Sequence, residues 1–185
     1  MNTRLRKMII GALLIALAIV IPIQFGFLKI YLPPFSATLA SHVPLLIAMF
    51  ISPRIAAAVG AGSTVGFLMA GMPGDVVARA ATHIIVGYVA GKIIEKDKNY
   101  KKAIILTAPL HGILEALVVI PFGFSAYQIL VGIALGATIH HCVDGAIAAS
   151  LAQAIAKVNR KELYSFFSGS KEVSETVDVQ GEVVG

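Results

Sequence analysis

Charge is scarce in this sequence. Asp, Glu, Lys and Arg make up 14% of its 185 residues, against roughly 25% in a soluble globular domain. Cysteine is rarer still, with Cys142 alone inside an apolar run. One cysteine closes no internal disulfide and builds no thiolate metal cluster, so it reads as a small core residue. No G-x-x-x-x-G-K-S/T loop is present, which excludes nucleotide hydrolysis of the P-loop kind on this chain. No G-x-S-x-G nucleophile setting occurs either. The two halves show no internal repeat, the mark of many self-contained carriers.

What the sequence does have is hydrophobic length. Apolar residues make up 57%, mean hydropathy is +0.85, and several apolar runs approach the ~20 residues that cross a bilayer. The class is a polytopic helical membrane protein. The net charge of +5 is not a nucleic-acid patch. Of the 15 Lys and Arg, all but Lys29 in an outer loop and Arg79 within a span fall in four groups: Arg4, Arg6 and Lys7; Arg54; Lys92, Lys96, Lys98, Lys101 and Lys102; then Lys157, Arg160, Lys161 and Lys171. These groups punctuate the apolar runs as cytoplasmic loops do. The first run is longer than a signal peptide's apolar core and lacks a cleavage motif, so it is kept as a helix.

Helices are predicted over residues 5–27, 42–52, 55–70, 72–92, 103–120 and 131–158. Pro33 and Pro34 exclude a regular helix from residues 28–41. That loop is apolar at Ile30, Tyr31, Leu32 and Phe35, and reads as a lid packed on the helix ends. Residues 55–70 are rich in Gly and Ala, which lets helix backbones approach closely in lipid. The expected fold is an all-α membrane protein with six transmembrane helices, both termini cytoplasmic, and an outer lid loop between helices 1 and 2. The weakest point is the short turn at Pro53, which also suits a re-entrant pair. Residues 1–160 form the substrate-binding domain, and the polar tail 161–185 reads as disordered.

The polar residues inside the spans are few. Arg79 and His83 lie one turn apart, as do His111 and Glu115, and His140 and Asp144. His42 opens helix 2. At 1.5 Å per residue, Arg79 lies about 6 Å, Glu115 about 8 Å and His140 about 13 Å from the outer helix ends. One outward pocket under the lid can hold them together. Plainer readings stand beside this one. Arg79 and Glu115 can form a structural ion pair, and His111 can be a satisfied core histidine. Asp144 can fix the His140 tautomer. His140 and His141 point ~100° apart, so one of them packs elsewhere. The histidines and acids could ligate a metal, but a fixed positive charge at Arg79 argues against a cation. Arg79 offers a bidentate fork to a carboxylate. Tyr31, Phe35 or Phe122 could stack on a flat ring. The preferred guest is a small aromatic carboxylate, with Arg79 as its anchor.

Several local stretches carry a resemblance. Ala12-Leu13-Leu14-Ile15-Ala16 matches an Ala-x-x-x-Ala pattern, with Gly11 and Ala18 extending the strip. Pro33-Pro34-Phe35-Ser36, Ser41-His42-Val43-Pro44, Ala48-Met49-Phe50-Ile51-Ser52-Pro53 and Arg79-Ala80-Ala81-Thr82-His83 complete it. Over residues 5–160 the chain resembles the S component, or substrate-binding subunit, of energy-coupling factor (ECF) vitamin transporters, in its niacin-type branch. The resemblance implies tight binding of niacin from outside, under the 1–2 loop. It implies docking through Ala12 and Ala16 on a transmembrane coupling subunit served by two ATP-binding subunits, in the bacterial plasma membrane. The expected substrate-binding residues are Arg79, His83, Glu115, His111, His140, Tyr31, Phe35 and His42. No catalytic residue, metal or cofactor is expected, and no nucleic-acid partner. Pantothenate, or an autonomous small-solute carrier, is the alternative.

Overall fold

Asn2 caps the first helix, its side chain accepting the Arg4 N–H at 2.9 Å. The structure is a computed structural model and describes residues 2–169. Helix α1 (Thr3–Gln24) carries Pro22 near its end and stops three residues before the expected boundary. A 3₁₀ turn, Gly26–Leu28, leads into an antiparallel hairpin of β1 (Lys29–Leu32) and β2 (Phe35–Thr38). Leu32 lies opposite Phe35, and Pro33–Pro34 make the turn. The lid segment is therefore a hairpin in an otherwise helical protein. Alternation is hard to see in Lys-Ile-Tyr-Leu and Phe-Ser-Ala-Thr because β2 is buried at every position.

Next come α2 (Val43–Ala48), α3 (Pro53–Met69), α4 (Gly74–Ala81), α5 (His83–Asp97) and α6 (Tyr100–Val118). A π-helical segment, Gln128–Ala134, runs into α7 (Leu135–Val158), and α8 (Leu163–Ser168) follows. Helix α2 has six residues, all buried, and at 1.5 Å per residue is only about 9 Å long. The single helix expected over 72–92 breaks at Thr82, whose hydroxyl and N–H both reach the Arg79 carbonyl, at 2.7 and 3.0 Å. Such a local bond competes with the regular ladder. Among the described residues, three helical stretches are long and apolar enough to cross a membrane: Thr3–Gln24, Gly74–Asp97 and Gln128–Val158.

Glycines fix the helix directions. A Cβ at Gly60 would lie 2.6 Å from the His83 carbonyl carbon, and one at Gly91 would lie 2.6 Å from Pro53 Cα. So α3 and α5 run antiparallel in near backbone contact. Gly11 faces Ile55, Gly62 faces Ile15 and Gly66 faces Ile19, so α1 and α3 run parallel. The chain between them must return, and the short α2 does so through the middle of the core. Leu45 and Leu46 on α2, and Met49 and Phe50 just after it, are buried there. Gly112 against Ala134 and Gly145 against Ile104 set α6 antiparallel to α7.

The ordered fold runs past residue 160. Phe166 and Phe167 of α8 are buried, and Phe167 stacks on Phe50 at 5.5 Å. The Arg6 guanidinium lies 4.4 Å over Phe166, which joins the two ends of the described chain. Residues 161–169 thus belong to the packed body; the rest of the expected tail lies outside the described residues. Cys142 is exposed on α7 rather than in the core. Composition could not separate these cases, because lipid-facing and core positions are both apolar. Gly11 and Ala18 turn inward, while Ala12 and Ala16 are exposed.

Candidate functional site

The chain has five histidines, and α2, α5, α6 and α7 bring all five together. His42 sits at the centre. Its ring centroid lies 4.4 Å from His83, 4.8 Å from His111, 4.5 Å from His140 and 6.0 Å from His141. His42 Nε2 and His83 Nε2 are 2.8 Å apart. Each ring also has a partner on the outside of the group. His83 Nδ1 is 3.1 Å from Ser63 Oγ, and His141 Nε2 is 3.1 Å from Thr107 Oγ1. His111 Nε2 is 3.1 Å from Glu115 Oε1. His140 Nε2 and His42 Nδ1 lie 3.2 and 3.4 Å from Asp144 Oδ2. The i, i+4 spacing on α6 and α7 produces two of these pairs directly.

Two buried acids complete the group. Asp144 accepts the backbone N–H of Ala40 and of His42, both at 2.9 Å, and so ties the end of the hairpin to α7. Glu115 Oε2 accepts from Arg79 Nε at 2.8 Å, and Arg79 Nη2 donates to the Ser36 carbonyl at 3.1 Å. Arg79 and Glu115 are each 4% exposed. The structure therefore realises the internal ion pair, where the sequence reading preferred a free anion anchor. One guanidinium nitrogen, Nη1, keeps no hydrogen-bond partner. The Arg79 guanidinium also lies 5.3 Å from the Phe35 ring, a cation–π distance.

A cavity of about 30 Å³ opens between these groups, lined by Ser36, Thr38, His42, Arg79, Glu115 and His140 among others. That is about the share of one water in the liquid. A second, apolar cavity of about 360 Å³ lies between the hairpin and α7, bounded by Ile30, Leu32, Phe35, Gly132 and Gly136. His140 and Ala37 border both. A third, of about 510 Å³, lies at the other end of α2 beside Tyr100 and Tyr164 and holds no histidine or acid.

Of the residues singled out in the sequence, Arg79, His83, His111, Glu115, His140, His42 and Phe35 meet here. Tyr31 does not; it is 66% exposed on β1, with the Lys29 ammonium 5.7 Å from its ring. Phe122 also lies away, half-exposed against Gly74. Ser63 and Thr107 escaped the sequence reading; Ser63 sits beside Thr64 in a Gly/Ala run, and nothing local showed which hydroxyl would turn to a histidine.

Fold and site together define a helical membrane protein that closes a hairpin over a buried polar chamber. The chain is 34% identical, over an alignment of 172 residues covering 84% of this chain and 77% of the relative, to the niacin transporter NiaX of Lactococcus lactis subsp. cremoris (strain MG1363). The chain belongs to the NiaX family, as its niacin-type S-component resemblance implies. No family model matches it, and no solved structure matches it.

Proposed function

We propose that this chain is the substrate-binding membrane subunit of an ECF-type vitamin transporter and that it takes up niacin as nicotinate. The observation that carries the reading is the chamber under the hairpin, in a chain similar to a niacin transporter. Its cavity faces a partnerless Arg79 nitrogen on one side and imidazoles on the other. A carboxylate suits the first, and a ring nitrogen suits the second. Phe35 supplies an aromatic face. Nicotinate needs far more than 30 Å³; small-molecule sites measure roughly 300–1,000 Å³. The described conformation is therefore the closed one. Movement of Phe35 and His140 would join the chamber to the apolar cavity behind the hairpin.

Both termini in the cytoplasm fit the alternating helix directions, with the short buried α2 returning the chain inside the fold rather than as a full span of its own. The basic groups at residues 4–7, 54, 92–102 and 157–161 gather at the end away from the hairpin, which the positive-inside rule assigns to the cytoplasm. Its sequence carries no P-loop motif, and the subunit draws its energy from a coupling subunit and two ATPases. The exposed strip of Ala12 and Ala16 on α1 is its docking face.

Purified protein with nicotinate at a thousandfold excess over its dissociation constant should gain ~4 kcal/mol of stability, read as a rise in thermal midpoint. No rise with nicotinate, and one with pantothenate, would replace the substrate. Leucine at Ala12 and Ala16 should leave nicotinate binding intact and abolish uptake in cells. Normal uptake by that double variant would remove the docking role.

A further inference from the structure

Counted at formal charge, the chamber is out of balance. Two buried carboxyl groups, Glu115 and Asp144, stand against one guanidinium, Arg79. Buried charge without a partner is costly. Nicotinate, an anion, would make the imbalance worse. Among the described residues, His111 Nδ1 and His141 Nδ1 have no partner, and the carboxylates beside His42 Nδ1, His111 Nε2 and His140 Nε2 lie off hydrogen-bonding geometry. The chamber's own residues therefore call for a cation before they call for an anion.

We propose that His42, His83 and His111 bind one divalent transition-metal ion of the Zn²⁺ class, and that the ion takes the substrate's carboxylate at its open position. Potential ligand atoms of the three lie within 4.8 Å of one another, and all three residues are buried. Imidazole nitrogens bind zinc at about 2.0–2.1 Å, which sets tetrahedral ligands about 3.3 Å apart. His42 Nε2 and His83 Nε2, now 2.8 Å apart, need to part by only about 0.5 Å. The outer partners have the pattern that orients metal-binding histidines. Asp144 stands beside His42, Ser63 beside His83 and Glu115 beside His111, all on ring nitrogens. A second trio, His42, His140 and Asp144, is also within reach of an ion. It is the weaker choice, because both Asp144 oxygens already accept backbone N–H groups.

Arg79 no longer opposes a cation here, because Glu115 neutralises it at 2.8 Å. A divalent ion supplies positive charge beside two buried acids, and its open position leaves a place for one further carboxylate. Three nitrogens and one open position are the ligand set of an ion that accepts a further ligand. The metal site stands on these residues alone. The carboxylate on its open position rests on the niacin reading.

The test uses full-length protein purified in detergent, stripped with a chelator and titrated with Co²⁺ as a coloured probe, then with Zn²⁺. One ion per chain is expected, with visible bands of nitrogen-ligated Co²⁺. His83→Gln and His111→Gln should each weaken metal binding at least tenfold, since even outer partners are worth 10–100-fold. Cys142→Ser, on the exposed face of α7, should change nothing. Adding nicotinate should shift the Co²⁺ bands, and metal-free protein should bind nicotinate at least tenfold more weakly. Less than a tenth of an ion per chain in wild-type protein, or unchanged metal affinity in both histidine variants, would overturn the site. Equal nicotinate affinity with and without metal would overturn the link between ion and carboxylate. Metal binding in a protein that ignores nicotinate would uphold the metal site and sink the niacin reading instead.

Discussion

Replacing Arg79 with glutamine should remove about 3–5 kcal/mol of stability, seen as a large drop in thermal midpoint in detergent. The residue is 4% exposed, and its nearest acid, Glu115, is equally buried at 2.8 Å. Taking away one partner strands the other as an uncompensated charge, and this penalty exceeds the net worth of the pair. The double variant Arg79→Gln, Glu115→Gln should therefore recover most of the loss. Failure to recover would show that Glu115 is balanced by something else. Arg79→Lys separates structure from binding. Lysine keeps the charge beside Glu115 but cannot also supply planar nitrogens to the Ser36 carbonyl and to a guest. Its stability should fall less, while nicotinate affinity should fall by about 2–5 kcal/mol. Unchanged affinity in this variant would leave Arg79 a purely structural residue.

The contrast between what the sequence showed about Arg79 and what it concealed extends to the whole site. Contacts set by the helical period were readable. His111 with Glu115 and His140 with Asp144 follow from i, i+4 spacing and appear at 3.1 and 3.2 Å. The ~100° between neighbours showed that His140 and His141 diverge but not which borders the chamber; His140 does, and His141 turns to Thr107 yet stays 5.3 Å from His111. Contacts that depend on how helices pack were not fixed by any local pattern. Arg79 and Glu115 are 36 positions apart, and His42 and His83 are 41 apart. The Arg79–Glu115 pair stands in the sequence only as one of two readings, and nothing there points to the His42–His83 contact. The break at Thr82 was hidden because a threonine in an apolar run looks like any other helical residue until its hydroxyl turns back on Arg79. Tyr31 was misplaced for a related reason. An aromatic residue in an apolar lid suits the chamber side and the lipid side equally, and only the pairing of β1 outside β2 decides between them.

Asp144→Ala should be the most damaging change on α7, at about 3–5 kcal/mol when two buried donors each lose an acceptor worth roughly 1–3 kcal/mol. The carboxylate is fully buried and receives the N–H groups of Ala40 and His42, residues 104 and 102 positions away. Ala40 has φ of 66°, a left-handed conformation that alanine disfavours. The bond to Asp144 holds that residue in place, and with it the bend that carries the chain from β2 into α2. His42 follows two residues later, so the same carboxylate aims the central imidazole of the chamber. Hydrogen exchange offers a direct reading. The amides of Ala40 and His42 should be protected in the wild type and should exchange far faster in Asp144→Ala, with the rest of α7 little changed. Asp144→Asn should fall between the two, since its one carbonyl oxygen can still accept from one of the two donors. Unaltered exchange at both amides would mean that the hairpin is held by its own packing against Gly132 and Gly136. If exchange does rise, Asp144 clamps the hairpin at its inner end, while Pro34 and Phe35 pack its tip on Gly132 and Gly136. Release of that tip packing would expose Phe35 and the chamber while Asp144 still holds His42 at the start of α2.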